Sequence, residues 1–398
     1  MIAIGLLVFG LAVSSLVAHK LGLRLGGVLV VPLLAVYTLW SFASLAMFLF
    51  STVVAYACLL LISRRYLLYG RPLLLVSILT GAFVPVLVFS AADLFRGIPT
   101  PAGELEFVGR VLPGVVAFNL FRLAPEKRRT DLLASSAVLA VLVGAGALAT
   151  FLWVTPPCVT CQLVPPNVYA NFQPIFLDPK SGLAVLLGVS GVVSATPVGT
   201  QASAVAVLVL GLALSELSRS RWGFPLNGII ALPLVALFAL RTRWILPLYV
   251  VALVVAYLGI YLVHGWTFLY GRFLLATGMV LGLISVVPLA FVIPVTYTPA
   301  TVFTGVLAGV GAYHLHVLAP PERLANVPIG AGAFIIIYAG ARLLVPSQPD
   351  GLATSVGLAH GIVAVVVLGA AAWQIYRIER TVLSPLRRES GREPGVAP

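Results

Sequence analysis

The sequence predicts an all-α polytopic membrane protein made of two tandem copies of a six- to seven-helix unit, with about 13–14 membrane segments. Three observations lead there. First, 61% of the 398 residues are hydrophobic and only 9% are charged. Soluble domains average roughly 25% charged residues, so too few polar side chains are present to cover a water-facing surface. Second, apolar runs of about 16–23 residues recur along the chain, the length a helix needs to cross a hydrocarbon core. In lipid each backbone group must be satisfied within its own segment, and the alternating pattern of a membrane barrel is absent. Third, the chain repeats itself.

The repeat is read from short motifs kept in order. Tyr69-Gly70-Arg71 returns as Tyr270-Gly271-Arg272, a shift of 201 residues. That shift also carries Gly22, Gly27, Pro32 and Gly81 onto Gly223, Gly228, Pro233 and Gly282. Further on the shift falls to 195. Leu112-Pro113-Gly114 then aligns with Leu307-Ala308-Gly309, and Ala124-Pro125-Glu126-Lys127-Arg128 with Ala319-Pro320-Pro321-Glu322-Arg323. One unit of about 200 residues was duplicated. Residues 1–200 form the first membrane repeat and 202–398 the second.

Taken in order, the first copy has apolar segments at 2–18, 26–40, 43–62, 72–91, 107–121 and 132–154, with a shorter one at 183–196. The second has 202–217, 226–240, 244–263, 273–293, 300–318, 326–345 and 355–376. The first run lacks a basic flank before it and a small-residue cleavage site after it, so it reads as a membrane helix and not as a removable signal. Pro32 and Pro233 read as interruptions of short helices, suited either to lining a cavity or to a packing kink.

Charge sets the orientation. Loops 19–24, 63–71 and 122–131 hold Lys20, Arg24, Arg64, Arg65, Arg71, Arg122, Lys127, Arg128 and Arg129. Loop 92–106, on the other side, holds Asp93, Glu104 and Glu106 against Arg96. The positive-inside rule then puts the N-terminus outside and the basic C-terminal tail in the cytoplasm. Two parallel copies satisfy this if segment 183–196 is re-entrant or lies flat. Inverted copies with 14 spans are the competing model, and Arg241 and Arg243 disagree with the parallel one. The net charge of +12 reads as the usual enrichment of Lys and Arg in cytoplasmic loops. No basic stripe interleaved with aromatics points to nucleic acid.

The external loop 155–181 carries Cys158 and Cys161 as a C-x-x-C. With no second pair a four-cysteine zinc site is excluded, and a disulfide is the expected state on an outer face. No P-loop, zinc-protease helix or nucleophile elbow occurs, and no metal or cofactor motif is present. No pair of acids falls inside a membrane segment, which removes a carboxylate proton relay. Nothing here makes a self-sufficient enzyme.

The chemistry left is that of the Tyr-Gly-Arg corner. Gly70 and Gly271 permit a tight turn, and the helix that follows presents free N–H groups and partial positive charge. With Arg71 and Arg272 this makes an anion site for carboxylate or phosphate, flanked by Tyr69 and Tyr270. The bland alternative is that both arginines snorkel to lipid phosphates and set topology. Asn119 and His314 occupy equivalent positions near a helix end and serve either packing or a polar path.

These pieces resemble the CapC/PgsC family, the polytopic membrane subunit of poly-γ-glutamate synthesis. The matching residues are Gly22 through Ala35, Tyr69-Gly70-Arg71 with Thr80-Gly81, and Glu106 through Asn119 around Pro113-Gly114. The second copy matches at Gly223 through Ala236, Tyr270-Gly271-Arg272 and Gly309 through Ala312. It departs in lacking the acid at Glu106 and the Pro-Gly pair, and in having His314 where the first has Asn119. The resemblance implies a CapB/PgsB-like ATP-dependent ligase on the cytoplasmic side and a CapA/PgsA-like subunit facing outward. The chain would be their membrane anchor and a guide for an anionic polymer, in contact with membrane lipid. A secondary transporter for a small anion or amino acid, and a pure scaffold without a conduit, remain as competing expectations.

Overall fold

A computed structural model describes residues 2–66, 69–96, 104–154, 201–223, 226, 228, 230–293, 298–345, 348–353 and 357–380. Cys158, Cys161, segment 183–196 and the arginines of the tail beyond Arg380 lie outside the described residues. Within them the chain is helical, with 13 helices and no strand. The first copy supplies α1 (Ile2–Leu21), α2 (Val30–Trp40), α3 (Phe42–Arg65), α4 (Arg71–Arg96), α5 (Glu104–Phe121) and α6 (Pro125–Val154). The second supplies α7 (Gln201–Trp222), α8 (Ala231–Ala239), α9 (Ile245–Thr267), α10 (Arg272–Val292), α11 (Pro299–Val317), α12 (Pro320–Leu344) and α13 (Leu358–Ile378). Ten helices have a length and apolar composition suited to crossing a membrane, so this is a multi-pass α-helical membrane protein.

Two expectations are corrected. Segments 26–40 and 226–240 do not form spanning helices: α2 has 11 residues and α8 only 9. In the first copy residues 26–29, before the helix, form an apolar turn, which hydrophobicity alone cannot tell from helix. Both short helices are buried along nearly their whole length. Nor does proline break them. Pro32 and Pro233 are each the third helical residue, where no intrahelical N–H is required. Each ring seats on a glycine of the preceding helix; a Cβ on Gly10 would lie 2.8 Å from Pro32, and Gly211 meets Pro233 more closely still. The basic stretch 125–129 likewise belongs to α6 itself, which begins at Pro125.

Each copy splits into two groups. In the first, α3, α4 and α5 pack together, and α1, α2 and α6 form the other group. In the second, α9, α10 and α11 match the former, while α7 and α8 pack around α12 as the latter. Glycine lets the crossings come close. A Cβ on Gly81 would lie 2.6 Å from the backbone nitrogen of Gly114, and Gly282 and Gly309 interlock in the same way with Gly305 and Gly278. Such small-residue seams are how lipid-embedded helices gain van der Waals contact.

The copies are joined reciprocally. Helix α1 packs on α10, its counterpart α7 packs on α4, and α5 meets α11 between them. The same surface used twice is the signature of an approximate two-fold relation. Its direction follows from which ends touch. Near the C-terminus of α7, Ser215 and Glu216 reach Arg71 at the start of α4. Near the C-terminus of α1, His19 lies edge-on to Phe273 at the start of α10, with ring centroids 5.0 Å apart. Equivalent ends therefore share one side, and the copies are parallel. Arg221 and Glu379, 2.7 Å apart, bring the end of α13 to that side too. Helix α1 starts at the other end, which also holds Arg241 and Arg243 and the loop that caps α8. There Gln348 and Leu352 donate backbone N–H to the carbonyls of Leu240 and Ala239.

Candidate functional site: the arginine end

The shared end is built from turns and helix termini, and its shape depends on a few polar residues. Helix α1 stops at Leu21, and the chain passes through Gly22, Leu25, Gly26 and Gly27, all at positive φ. One carboxylate holds this turn. Asp131, on α6 and 2% exposed, accepts backbone N–H bonds from Arg24 at 2.7 Å, Leu25 at 2.8 Å and Gly26 at 3.4 Å. Three donors on one buried carboxylate satisfy its charge without a cation. Leu25, a branched residue at φ 50, keeps that costly conformation because the carboxylate fixes it. The second copy has Asn326, fully buried, at the equivalent position.

A second device occurs in both copies. Arg128 donates to the carbonyls of Leu123 (3.0 Å) and Phe121 (3.2 Å) and to the hydroxyl of Tyr56 (2.9 Å). Arg323 does the same with Leu315 and His316 (2.9 Å each), Leu318 (3.0 Å) and the hydroxyl of Tyr257. Each guanidinium caps the orphan carbonyls ending α5 or α11 and lies over its tyrosine ring, at 5.9 and 5.5 Å. The repeated Ala-Pro…Glu…Arg motif is therefore a C-terminal cap. Sequence reasoning used it to align the copies and to orient the chain, although a cation six or seven residues past a helix end was the available signal for a cap.

The Tyr-Gly-Arg corners lie where expected, at the starts of α4 and α10. Gly70 and Gly271 have φ of 68° and 62°, a left-handed turn that glycine adopts without strain. Tyr69 and Tyr270 are exposed and do not close over the arginines; Tyr270 instead meets the edge of His264 with centroids 4.8 Å apart. His264 and His316 form a ring-nitrogen hydrogen bond of 2.7 Å beside it, a pair the sequence reading did not single out.

The two arginines differ. Arg71 has 14% side-chain exposure and donates from Nε to Glu216 at 3.1 Å and from Nη2 to Ser215 at 3.3 Å. These partners come from the other copy, which single-copy reading could not foresee. Among the described residues no carboxylate pairs with Arg272, which is exposed. The residues equivalent to Ser215 and Glu216 are Ser14 and Ser15. A cavity of about 180 Å³ opens there, lined by Ser15, Ala18, His19, Val28, Arg272 and Phe273. Arg24 adds charge nearby. Burial, and then the like charges of Arg272 and Arg122, hold its guanidinium below the ordinary value, while Asp131 acts the other way.

Asn119 and His314 line the turns that precede the short helices. Asn119 donates from Nδ2 to the carbonyl of Gly26 at 2.9 Å. A Cβ on Gly228 would lie 3.4 Å from the ring of His314. Asn119 is thus a tie between α5 and the turn. The structure brings Arg71, Arg272, Asn119 and His314 to one end and leaves Tyr69 and Tyr270 at its rim.

Two stretches, residues 9–129 and 210–324, match the family model described as capsule biosynthesis CapC, together more than half of the chain. Each begins within the first helix of a copy and ends just inside the sixth, so the match falls on the same structural unit twice. No curated protein and no solved structure matches the chain.

Proposed function

The chain belongs to the CapC family of capsule biosynthesis proteins, and on that premise we propose that it is the membrane subunit of a poly-γ-glutamate (capsule-type polyanion) synthase and export complex. The arginine end is the cytoplasmic face, and a CapB/PgsB-like ATP-dependent ligase docks there. A CapA/PgsA-like subunit meets the opposite end. The N-terminus is outside and the C-terminus cytoplasmic, by the excess of Lys and Arg in the turns of the arginine end. The chain anchors the ligase and guides the growing polymer outward. Residues 1–200 and 202–398 act as paired membrane repeats, and the disulfide between Cys158 and Cys161 belongs to the outer loop.

One observation carries this reading. Both Tyr-Gly-Arg corners stand at the same end, one in each copy; Arg272 presents its guanidinium to the aqueous surface there, while Arg71 is held beside it by Glu216. A polyanion made there meets matching charge at short range, where salt screening is weakest.

The test measures cell-associated polymer in a strain carrying Arg71→Ala with Arg272→Ala. Polymer is expected to be lost while the protein stays in the membrane; output at the wild-type level overturns the guiding role. Orientation is read from Tyr69→Cys in a background with Cys58, Cys158 and Cys161 changed to Ser. A membrane-impermeant thiol reagent is expected to label it in inverted vesicles and not in intact cells. Uptake of labelled glutamate by vesicles containing this chain alone would favour a secondary transporter instead.

A further inference from the structure

The approximate two-fold relation makes one corner a template for the other. At the first, the guanidinium of Arg71 is met by a carboxylate and a hydroxyl from α7. At the second, the hydroxyl is kept as Ser14 and the carboxylate is replaced by a second hydroxyl, Ser15. Both hydroxyls are buried, 0% and 8% exposed as residues, and neither has a hydrogen-bond partner among the described residues. A buried hydroxyl without a partner is uncommon and destabilising, so its persistence calls for an explanation. Ser15 lines the 180 Å³ cavity with Arg272 and His19. That volume exceeds one water molecule several times over and is of the order of a small carboxylic acid. Arg24, without a side-chain hydrogen bond among the described residues, adds a second positive charge beside Arg272.

We propose that the cavity between α1 and α10 is a carboxylate-binding site, in which Arg272, Ser15 and His19 receive from a ligand the negative charge that Glu216 supplies to Arg71 at the equivalent corner. The Arg71 corner is then not a ligand site, because its own chain already fills it. This deepens the reading of the arginine end as an anion-facing surface, and rests on that reading for the ligand being a carboxylic acid and not a lipid phosphate. The cavity opens beside exposed Arg272 at the start of α10, so a free acid reaches it from the aqueous side.

The test titrates the purified full-length chain, in nanodiscs of zwitterionic phosphatidylcholine, with glutarate by calorimetry. One saturable equivalent per chain is expected. Arg272→Gln is expected to weaken binding by about tenfold or more, the scale of a lost charge-assisted contact. Ser15→Glu places an internal carboxylate where Glu216 stands in the other copy and is expected to abolish binding while raising the thermal midpoint. Glu216→Ser opens the Arg71 corner and is expected to raise the stoichiometry to two. Since Ser15→Glu is expected to stabilise the fold, its result cannot be laid to misfolding. Absence of glutarate binding to the wild-type chain overturns the inference, as does binding unchanged by Ser15→Glu. So does equal competition by inorganic phosphate, or binding that disappears only when phosphatidylglycerol is added. None of these outcomes touches the synthase-subunit reading, which is judged by polymer output in cells.

Discussion

The two copies share one scaffold and differ in the polar groups fitted to it. Both keep the glycine seam between the fourth and fifth helices, the proline seated on a glycine of the first helix, and the arginine–tyrosine cap. At three places they part. Asp131 faces Asn326, Asn119 faces His314, and the Glu216 that closes the Arg71 corner faces Ser15. The shared features are those that bring backbones together or satisfy helix ends, and lipid offers no substitute for either. These three all lie at the arginine end, where water and other molecules reach; the second copy also lacks the acid at Glu106 and the Pro113-Gly114 pair. A duplicated unit can lose symmetry there without losing its packing.

The largest expected contrast is between Asp131, which holds the turn after α1, and its buried counterpart Asn326. Asp131→Ala removes an ionised acceptor from three backbone donors, two of them buried, and should cost about 3 kcal/mol. Asn326→Ala removes a neutral amide and should cost about 1–2 kcal/mol. Unfolding in mixed micelles with increasing SDS measures both. Equal losses would mean that the charge of Asp131 is not what sets the first turn apart.

How far these features could be read beforehand depends on their range. The membrane class and the repeat were legible because hydrophobicity and the Gly-Pro punctuation are local. The parallel order of the copies was reachable through the basic loops, against the contrary Arg241 and Arg243. Pro32 and Pro233 pointed to short helices, but where α2 and α8 begin was not legible: turns such as Leu25 to Leu29 are apolar because they are largely buried, and look like helix. Arg71 and Arg272 were found as corners and read as equivalent. Their difference lies in partners about 145 residues away, across a contact between copies that no spacing reveals. Asp131, the last residue of loop 122–131, was not singled out, since only the folded turn aims three N–H groups at it.

A middle-sized effect is expected at the corners. Glu216→Gln leaves Arg71 with a neutral partner. The pair is partly shielded, with side chains 14% and 35% exposed, so the loss should be about 1 kcal/mol, at the upper end for exposed pairs. Arg272→Gln breaks no ion pair and should stay within about 0.5 kcal/mol. The same SDS titration reads both, without ligand. A cost at Arg272 equal to that at Glu216 would mean that Arg272 already has a partner within the fold, and the asymmetry would vanish.

The smallest effect separates the tyrosines. Tyr69 and Tyr270 are 75% and 66% exposed, so neither buries enough area to matter much to stability. Among the described residues Tyr270 alone of the two has a ring neighbour, meeting His264 edge-on at 4.8 Å, and His264 in turn bonds His316 at 2.7 Å. Aromatic pairs contribute about 0.5–1.5 kcal/mol when buried, and less where water reaches the ring. Tyr270→Ala should therefore destabilise by about 0.5 kcal/mol, and Tyr69→Ala by less than that. If His264→Ala removes the difference between the two tyrosine variants, the ring contact is its source, because additivity fails only between groups that touch. Should Tyr69→Ala prove the costlier change, the tyrosine of the first copy has a partner that the second lacks, and the closed corner extends beyond Arg71 and Glu216.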